Sequence, residues 1–158
     1  MKRGAYKSRK FIELVERLLE RWGYSRTEGK VYALLLMRAR PMTISELAKE
    51  TGLSRSSISV ALSNLARHYL VTYRKEGKTK YFSAVPAFLE KFLQQPKEML
   101  EREIKPMKEI VEDLVRNSGE EEKAFYLTLL NDLSTLECVL KRLIEFEESE
   151  DLCLRNSS

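Results

Sequence analysis

Ser54, Arg55, Ser56, Ser57, Ser59, Ser63, Asn64 and Arg67 fall in one short stretch that contains no carboxylate. Hydroxyls, an amide and two guanidiniums suit hydrogen bonding to phosphate oxygens and base edges. They do not suit turnover. His68 is the single histidine and follows this stretch, where the partial negative charge of a helix C-terminus favours capping or a phosphate contact over general base work. No glycine-rich phosphate loop, paired-cysteine motif or Ser-His-Asp order accompanies it, so neither a catalytic residue, a cofactor site nor a metal site is expected. Glu120-Glu121-Glu122 opens a helix, where carboxylates are locally favourable, and lacks the alternating oxygen ligands of a calcium loop.

The polar residues need a helix to present them. Ser54 is placed to cap one, and Ile58, Ala61, Leu62 and Leu65 recur at the spacing of a buried helical stripe, leaving Arg55, Ser56, Ser59, Ser63 and Arg67 opposite. A shorter helix precedes it. Thr43-Ile44-Ser45-Glu46 has the form of a capping box, Ile44, Leu47 and Ala48 form its inner face, and Thr51-Gly52-Leu53 supplies the sharp turn between the pair. Leu70 to Arg74 and Lys80 to Ser83 then alternate as two strands around Glu76-Gly77, a hairpin carrying Arg74, Lys75, Lys78 and Lys80. Pro41-Met42 is placed to add a short third strand. Capped helix, turn, polar helix and basic hairpin in this order predict a winged helix-turn-helix that reads DNA in the major groove.

Charge is divided along the chain. Residues 1–80 carry 18 Lys and Arg against 7 Asp and Glu, a net of +11, while residues 81–158 carry 10 against 17, a net of −7; together they give the overall +4. A basic first half attracts a polyanion and an acidic second half is repelled by the same surface, which predicts a DNA side and a side facing away. With 158 residues, 43% hydrophobic and 33% charged, the chain has material for a small domain and an assembly element. No apolar run approaches a membrane span, and Met1 to Lys10 is basic without the apolar core of a secretory signal. Cys138 and Cys153 are too few for a disulfide framework, so a reducing cytoplasm is the expected location.

Around the reading head, further helices follow from periodicity. Lys2, Arg3, Lys7, Arg9 and Lys10 form a basic arm, and Phe11, Leu14, Val15, Leu18, Leu19 and Trp22 form a stripe that ends at Gly23. Ser25-Arg26-Thr27-Glu28 is a second capping box, opening a helix through Val31, Tyr32, Leu34, Leu35 and Leu36 that Arg38 to Pro41 breaks. Pro86 reads as an early helical residue before Phe88, Leu89, Phe92 and Leu93; Gln94-Gln95-Pro96 interrupts that pattern, and Pro106 predicts a kink or short break near Lys105. After Asn117-Ser118-Gly119 a final helix of about Glu120 to Glu148 carries Phe125, Leu129, Leu133, Leu136, Leu140 and Leu143.

These readings divide the chain into residues 1–23, an arm and packing or dimerisation helix; 24–85, a winged DNA-binding domain; 86–148, a helical dimerisation region; and a polar tail, 149–158, expected to fray. The fold class is mainly α with a small β-hairpin wing, and Leu14, Leu18, Phe125, Leu129, Leu133, Leu136, Leu140 and Leu143 are the expected dimerisation residues. Arg55, Ser56, Ser59 and Asn64 are the base-reading candidates; Ser54, Ser57, Arg67, Arg74, Lys75, Lys78 and Lys80 are the backbone candidates. Two other outcomes use the same residues: an architectural protein that coats DNA with little sequence preference, and a winged module that binds other proteins.

The runs Tyr24 to Leu35, Pro41 to Ala48 and Ser54 to Leu65 resemble the GbsR branch of the MarR-type winged-helix transcription regulators. The resemblance spans roughly residues 11–116. It implies a homodimer that binds double-stranded operator DNA through two wings and two reading helices, usually as a repressor, with some members responding to small molecules such as choline or glycine betaine. By that correspondence Ser54 starts the reading helix, Arg55, Ser56, Ser57 and Ser59 form its DNA-proximal part, and Tyr73 to Tyr81 is the wing. Arg74-Lys75-Glu76-Gly77-Lys78 stands where the broader MarR pattern has an Asp-x-Arg segment.

Overall fold

The computed structural model describes residues 2–148; Cys153, the carboxylates Glu150 and Asp151 and the tail expected to fray lie outside them. The chain forms two compact units that meet in sequence between Ala87 and Phe88. The first contains α1 (Lys2–Arg21), α2 (Arg26–Arg38), α3 (Ile44–Thr51), α4 (Arg55–Arg67), β1 (Val71–Glu76) and β2 (Thr79–Ala84). The second contains α5 (Phe88–Met99), a π-helical turn (Leu100–Ile104), α6 (Lys105–Asn117) and α7 (Glu120–Glu148).

Helix starts follow the capping logic. Ser25 Oγ accepts from Glu28 N and the Glu28 carboxylate accepts from Ser25 N, both at 3.1 Å, closing the expected box on α2. The box at α3 is only half formed. Thr43 Oγ1 accepts from Glu46 N at 3.2 Å, but the Glu46 carboxylate binds Arg40 at 2.7 Å, a charge-assisted bond that outcompetes a neutral backbone donor. Gly52 closes α3 with φ +74, as the turn into α4 requires.

The first core holds Val15 and Leu19 from α1, Val31, Tyr32 and Leu35 from α2, Met42, Leu47, Ile58, Leu62, Leu65, Leu70 and Phe82. Helices α1 and α2 approach closely at Gly29, where an added Cβ would sit 2.9 Å from Glu16 Cα. The segment expected to be a basic arm continues α1 as helix. Its start is tied by Ser8 Oγ donating to Gly4 O at 3.0 Å.

Strands β1 and β2 pair antiparallel from Val71↔Ala84 to Glu76↔Thr79, leaving Gly77-Lys78 as the two-residue turn, one position later than Glu76-Gly77. Gly77 has φ +60, the conformation demanded at the first position of a tight hairpin loop. Met42 bridges Phe82 through two 2.8 Å backbone bonds, so the expected third strand is a single bridge. Val85 N continues the pattern by donating to Leu70 O at 2.8 Å.

Pro86 lies ahead of α5, not inside its first turn, and Gln94-Gln95-Pro96 does not break the helix. Pro96 brings no backbone donor to Phe92 O, and in the same turn Gln95 Nε2 donates to Lys91 O at 3.1 Å. Near Pro106 the expected disturbance takes the form of the π turn, closed by Lys105 N donating to Leu100 O.

Leu133 and Leu140 correct the reading of α7. Both are buried within the second unit, clustered with Leu100, Ile104 and Val111 and flanked by Tyr126, Leu129, Leu130 and Ile144. Phe125, Leu136 and Leu143 remain exposed, with Val139 and Phe146 beside them. The broad apolar stripe thus serves two faces, one used within the unit and one left open.

Candidate nucleic-acid interface

The residues of α4 sort into three rows around its axis. Ile58, Ala61, Leu62 and Leu65 are buried. Ser56, Val60, Ser63 and Arg67, spaced four, three and four residues apart, form the outward ridge, with exposed Ser59 on its shoulder. Val60 is 71% exposed and is the one apolar side chain of that ridge. Sequence reasoning missed it, although its signal was available: it lies off the buried stripe and at helical spacing from Ser56 and Ser63.

Asn64 and Ser57 occupy a third row, facing α2. Asn64 Nδ2 donates to Glu28 Oε1 at 2.9 Å in a partly buried contact, which takes its amide away from the exposed ridge and corrects its grouping with base-reading candidates. Ser54 caps α4 by accepting from Ser57 N at 3.2 Å, and its hydroxyl donates to Ser57 Oγ at 2.8 Å. Those two hydroxyls are engaged in building the helix start. At the other end His68 is the C-cap residue; its Nδ1 lies 3.4 Å from Tyr24 Oη and the rings meet edge to face at 5.4 Å.

Arg55 points to the shoulder nearest the wing. It lines a cleft of about 420 Å³ with Thr43, Ile44 and Ser45 of the α3 start and Lys75, Lys78, Thr79 and Lys80 of the hairpin. Four cations and three hydroxyls from three elements thus surround one concavity, an arrangement that favours an extended anion such as a phosphodiester strand. The hydroxyls of Thr43, Ser45 and Thr79 were not foreseen, since they converge only when α3 and β2 are placed side by side.

Strand alternation divides the wing cations. Lys75 and Lys80 share a face with Tyr73 and Phe82, and Lys80 Nζ sits 4.8 Å from the Tyr73 ring centroid. Arg74 is on the other face, directly opposite Tyr81, with its guanidinium carbon 5.4 Å from that ring and an ion pair to Glu76 at 3.2 Å. The four basic side chains therefore do not form one patch. Lys75, Lys78 and Lys80 border the Arg55 cleft, while Arg74 is held on the far side by its own partners.

The frame behind the site is rigidly bonded. Tyr32 Oη donates to Val85 O at 2.7 Å and accepts from Ala87 N at 3.3 Å, pinning the end of the hairpin to α2. Burial pushes the Tyr32 phenol above its ordinary pKa, partly opposed by the Ala87 bond, so it stays a neutral donor. Among the described residues, no group of His, Cys, Asp and Glu is arranged to hold a metal ion.

Comparison with solved structures gives a match over 90% of this chain and 99% of a protein described as a transcriptional regulator, with a TM-score of 0.52 and 17% identity. The fold is that of the winged-helix transcription regulators. A family model described as sugar-specific transcriptional regulator TrmB matches residues 19–87, the stretch that contains the winged-helix core from the end of α1 to β2. A putative HTH-type transcriptional regulator, YvaV, of Bacillus subtilis (strain 168) is 25% identical over 155 residues, covering 90% of this chain and 88% of that protein. A mutant of S. aureus MepR, in a structure bound to an oligodeoxyribonucleotide, is 19% identical with a TM-score of 0.44 over 84% of this chain and 94% of that one. The relatives matched in sequence and structure are transcriptional regulators and not enzymes.

Proposed function

We propose that the protein is a homodimeric, sequence-selective DNA-binding transcription regulator that acts as a cytoplasmic repressor. The observation that carries this reading is the joining of an exposed ridge on α4 to a cationic cleft: the ridge has the dimensions of a helix able to enter the major groove, and the cleft supports a neighbouring phosphodiester strand. Ser56 and Ser59 are assigned to base edges. Arg55, Lys75, Lys78 and Lys80 are assigned to the backbone, with Arg67 at the far end of the ridge.

A second copy of the chain is the proposed cover for the open face of α7. Leu136, Val139, Leu143 and Phe146 are exposed at spacings of three, four and three, the rhythm of a helix seam. Leu14 and Phe11 on α1 are exposed as well and supply further apolar area. Two reading helices then address half-sites about 34–36 Å apart on one face of the duplex. A bound dimer obstructs promoter access without chemistry, which is why repression is the assigned direction. Likeness to the GbsR branch extends the proposal to control by a small molecule.

Selection from a randomised duplex pool at moderate salt, with the mass of the protein–DNA complex recorded, tests the proposal. A palindromic site held by a dimer far more tightly than its scramble is the expected result. Equal binding of all duplexes would make the protein an architectural coat, and negligible binding of any would turn attention to protein partners.

A further inference from the structure

The outward ridge of α4 has one member whose chemistry its neighbours do not explain. Val60 is 71% exposed between Ser56 and Ser63, one turn from each, while every other apolar residue of that helix is at least partly covered by the core. It also borders a shallow concavity of about 360 Å³ with Ser25, Thr27, Glu28, Ser56, Ser57 and Ala61, so one flank of it meets a mixed polar and apolar wall while most of the side chain faces outward. On a surface meant for hydrogen bonding to base edges, such a side chain offers contact without a donor or acceptor. The major-groove edge of a base pair has one apolar feature, the thymine 5-methyl group.

We infer that Val60 is a specificity residue that packs on a thymine methyl in each half-site, flanked by hydroxyl contacts from Ser56 and Ser63. The inference rests on the proposed DNA-reading function and adds the identity of one base. Its neighbours suit the role. Serines at four before and three after are short enough to let the valine approach the groove floor, and none carries a competing charge. Asn64 lies off the ridge, in the row facing α2, and is held there by Glu28.

The experiment uses the intact protein and the duplex enriched from the random pool, with each thymine replaced singly by deoxyuridine, which removes the methyl and keeps every base-pair hydrogen bond. Wild-type protein is expected to lose about fourfold in affinity at one position per half-site, and about fifteenfold when both half-sites are changed, the worth of one buried methyl group at each. Val60→Ser is expected to bind the thymine and uracil duplexes equally at that position while keeping its other preferences; Val60→Thr, which retains one γ-methyl, is expected to stay sensitive. Circular dichroism confirms that the variants keep their helix content. An enriched duplex in which no thymine is sensitive, or in which Val60→Ser leaves the sensitivity unchanged, overturns the assignment while the regulator reading stands. Failure to enrich any duplex over its scramble overturns the regulator reading and removes the base for Val60 to read.

Discussion

Asn64 on α4 and Glu28 in the cap of α2 share a 2.9 Å hydrogen bond, and the same carboxylate closes the α2 capping box through Ser25 N. One side chain therefore holds a helix start and fixes the rotation of the neighbouring helix. Removing Asn64 takes the inter-helix partner from Glu28 without touching the ridge. Asn64→Ala is expected to lower stability by about 1–3 kcal/mol in urea unfolding while leaving the order of preference among duplexes unchanged. Relaxed preference at a single base pair would return Asn64 to base reading.

Arg55 belongs with the wing cations in the shared cleft. Arg55→Ala and Lys78→Ala are each expected to weaken related duplexes together and to reduce the slope of log affinity against log salt by about one contact. A loss by Arg55→Ala confined to one base pair would instead show guanine reading, worth about 1–3 kcal/mol.

Gly29 tests the packing of α1 on α2. By intrinsic propensity, Gly29→Ala should gain about 1 kcal/mol in a helix interior. The new Cβ, however, meets backbone at Glu16 Cα, and overpacking a close helix contact costs about 1–3 kcal/mol. Net destabilisation is the expected result of thermal unfolding, and a raised melting temperature would show that α1 shifts at no cost.

Glu137 provides a pH signature in the second unit. Hydrogen bonds from Lys141 and Lys108 hold its carboxyl down at about 2, below the ordinary 4.5. A depressed carboxylate contributes stability that is present above the unfolded value and fades as pH falls from about 4.5 toward 2. Glu137→Gln is expected to be less stable than the wild type at pH 7, with the gap closing by about pH 2 to 3 in denaturant titrations. A gap that does not change with pH would place the effect in packing.

Local signals were the legible ones. The Ser25 cap, the Gly52 turn, the Ile58 to Leu65 stripe and the hairpin are set by residues close in sequence, so spacing alone revealed them. Competition was harder to read, because Glu46 had two partners within reach and chose Arg40. Periodicity gave the apolar rows of α7 but not which row packs at home, since Leu133 and Leu136 look alike until Ile104 and Val111 are in place. In the site, charge identified the wing but hid the alternation that separates Arg74 from Lys75 and Lys80. Val60 was overlooked because attention to a polar face discounts its apolar member.

The π turn at Leu100–Ile104 makes α5 and α6 a shaft with a built-in slip of phase. Bonds reaching five residues back spend one extra residue on a turn, so each side chain downstream is clocked by about 100° from where an unbroken α-helix would aim it. Val111 meets Leu133 and Leu140 on that clocking. A one-residue deletion within the turn would restore the ordinary ladder and still aim α6 at its partners, whereas an unbroken α ladder at the present length would turn every apolar residue of α6 away from them.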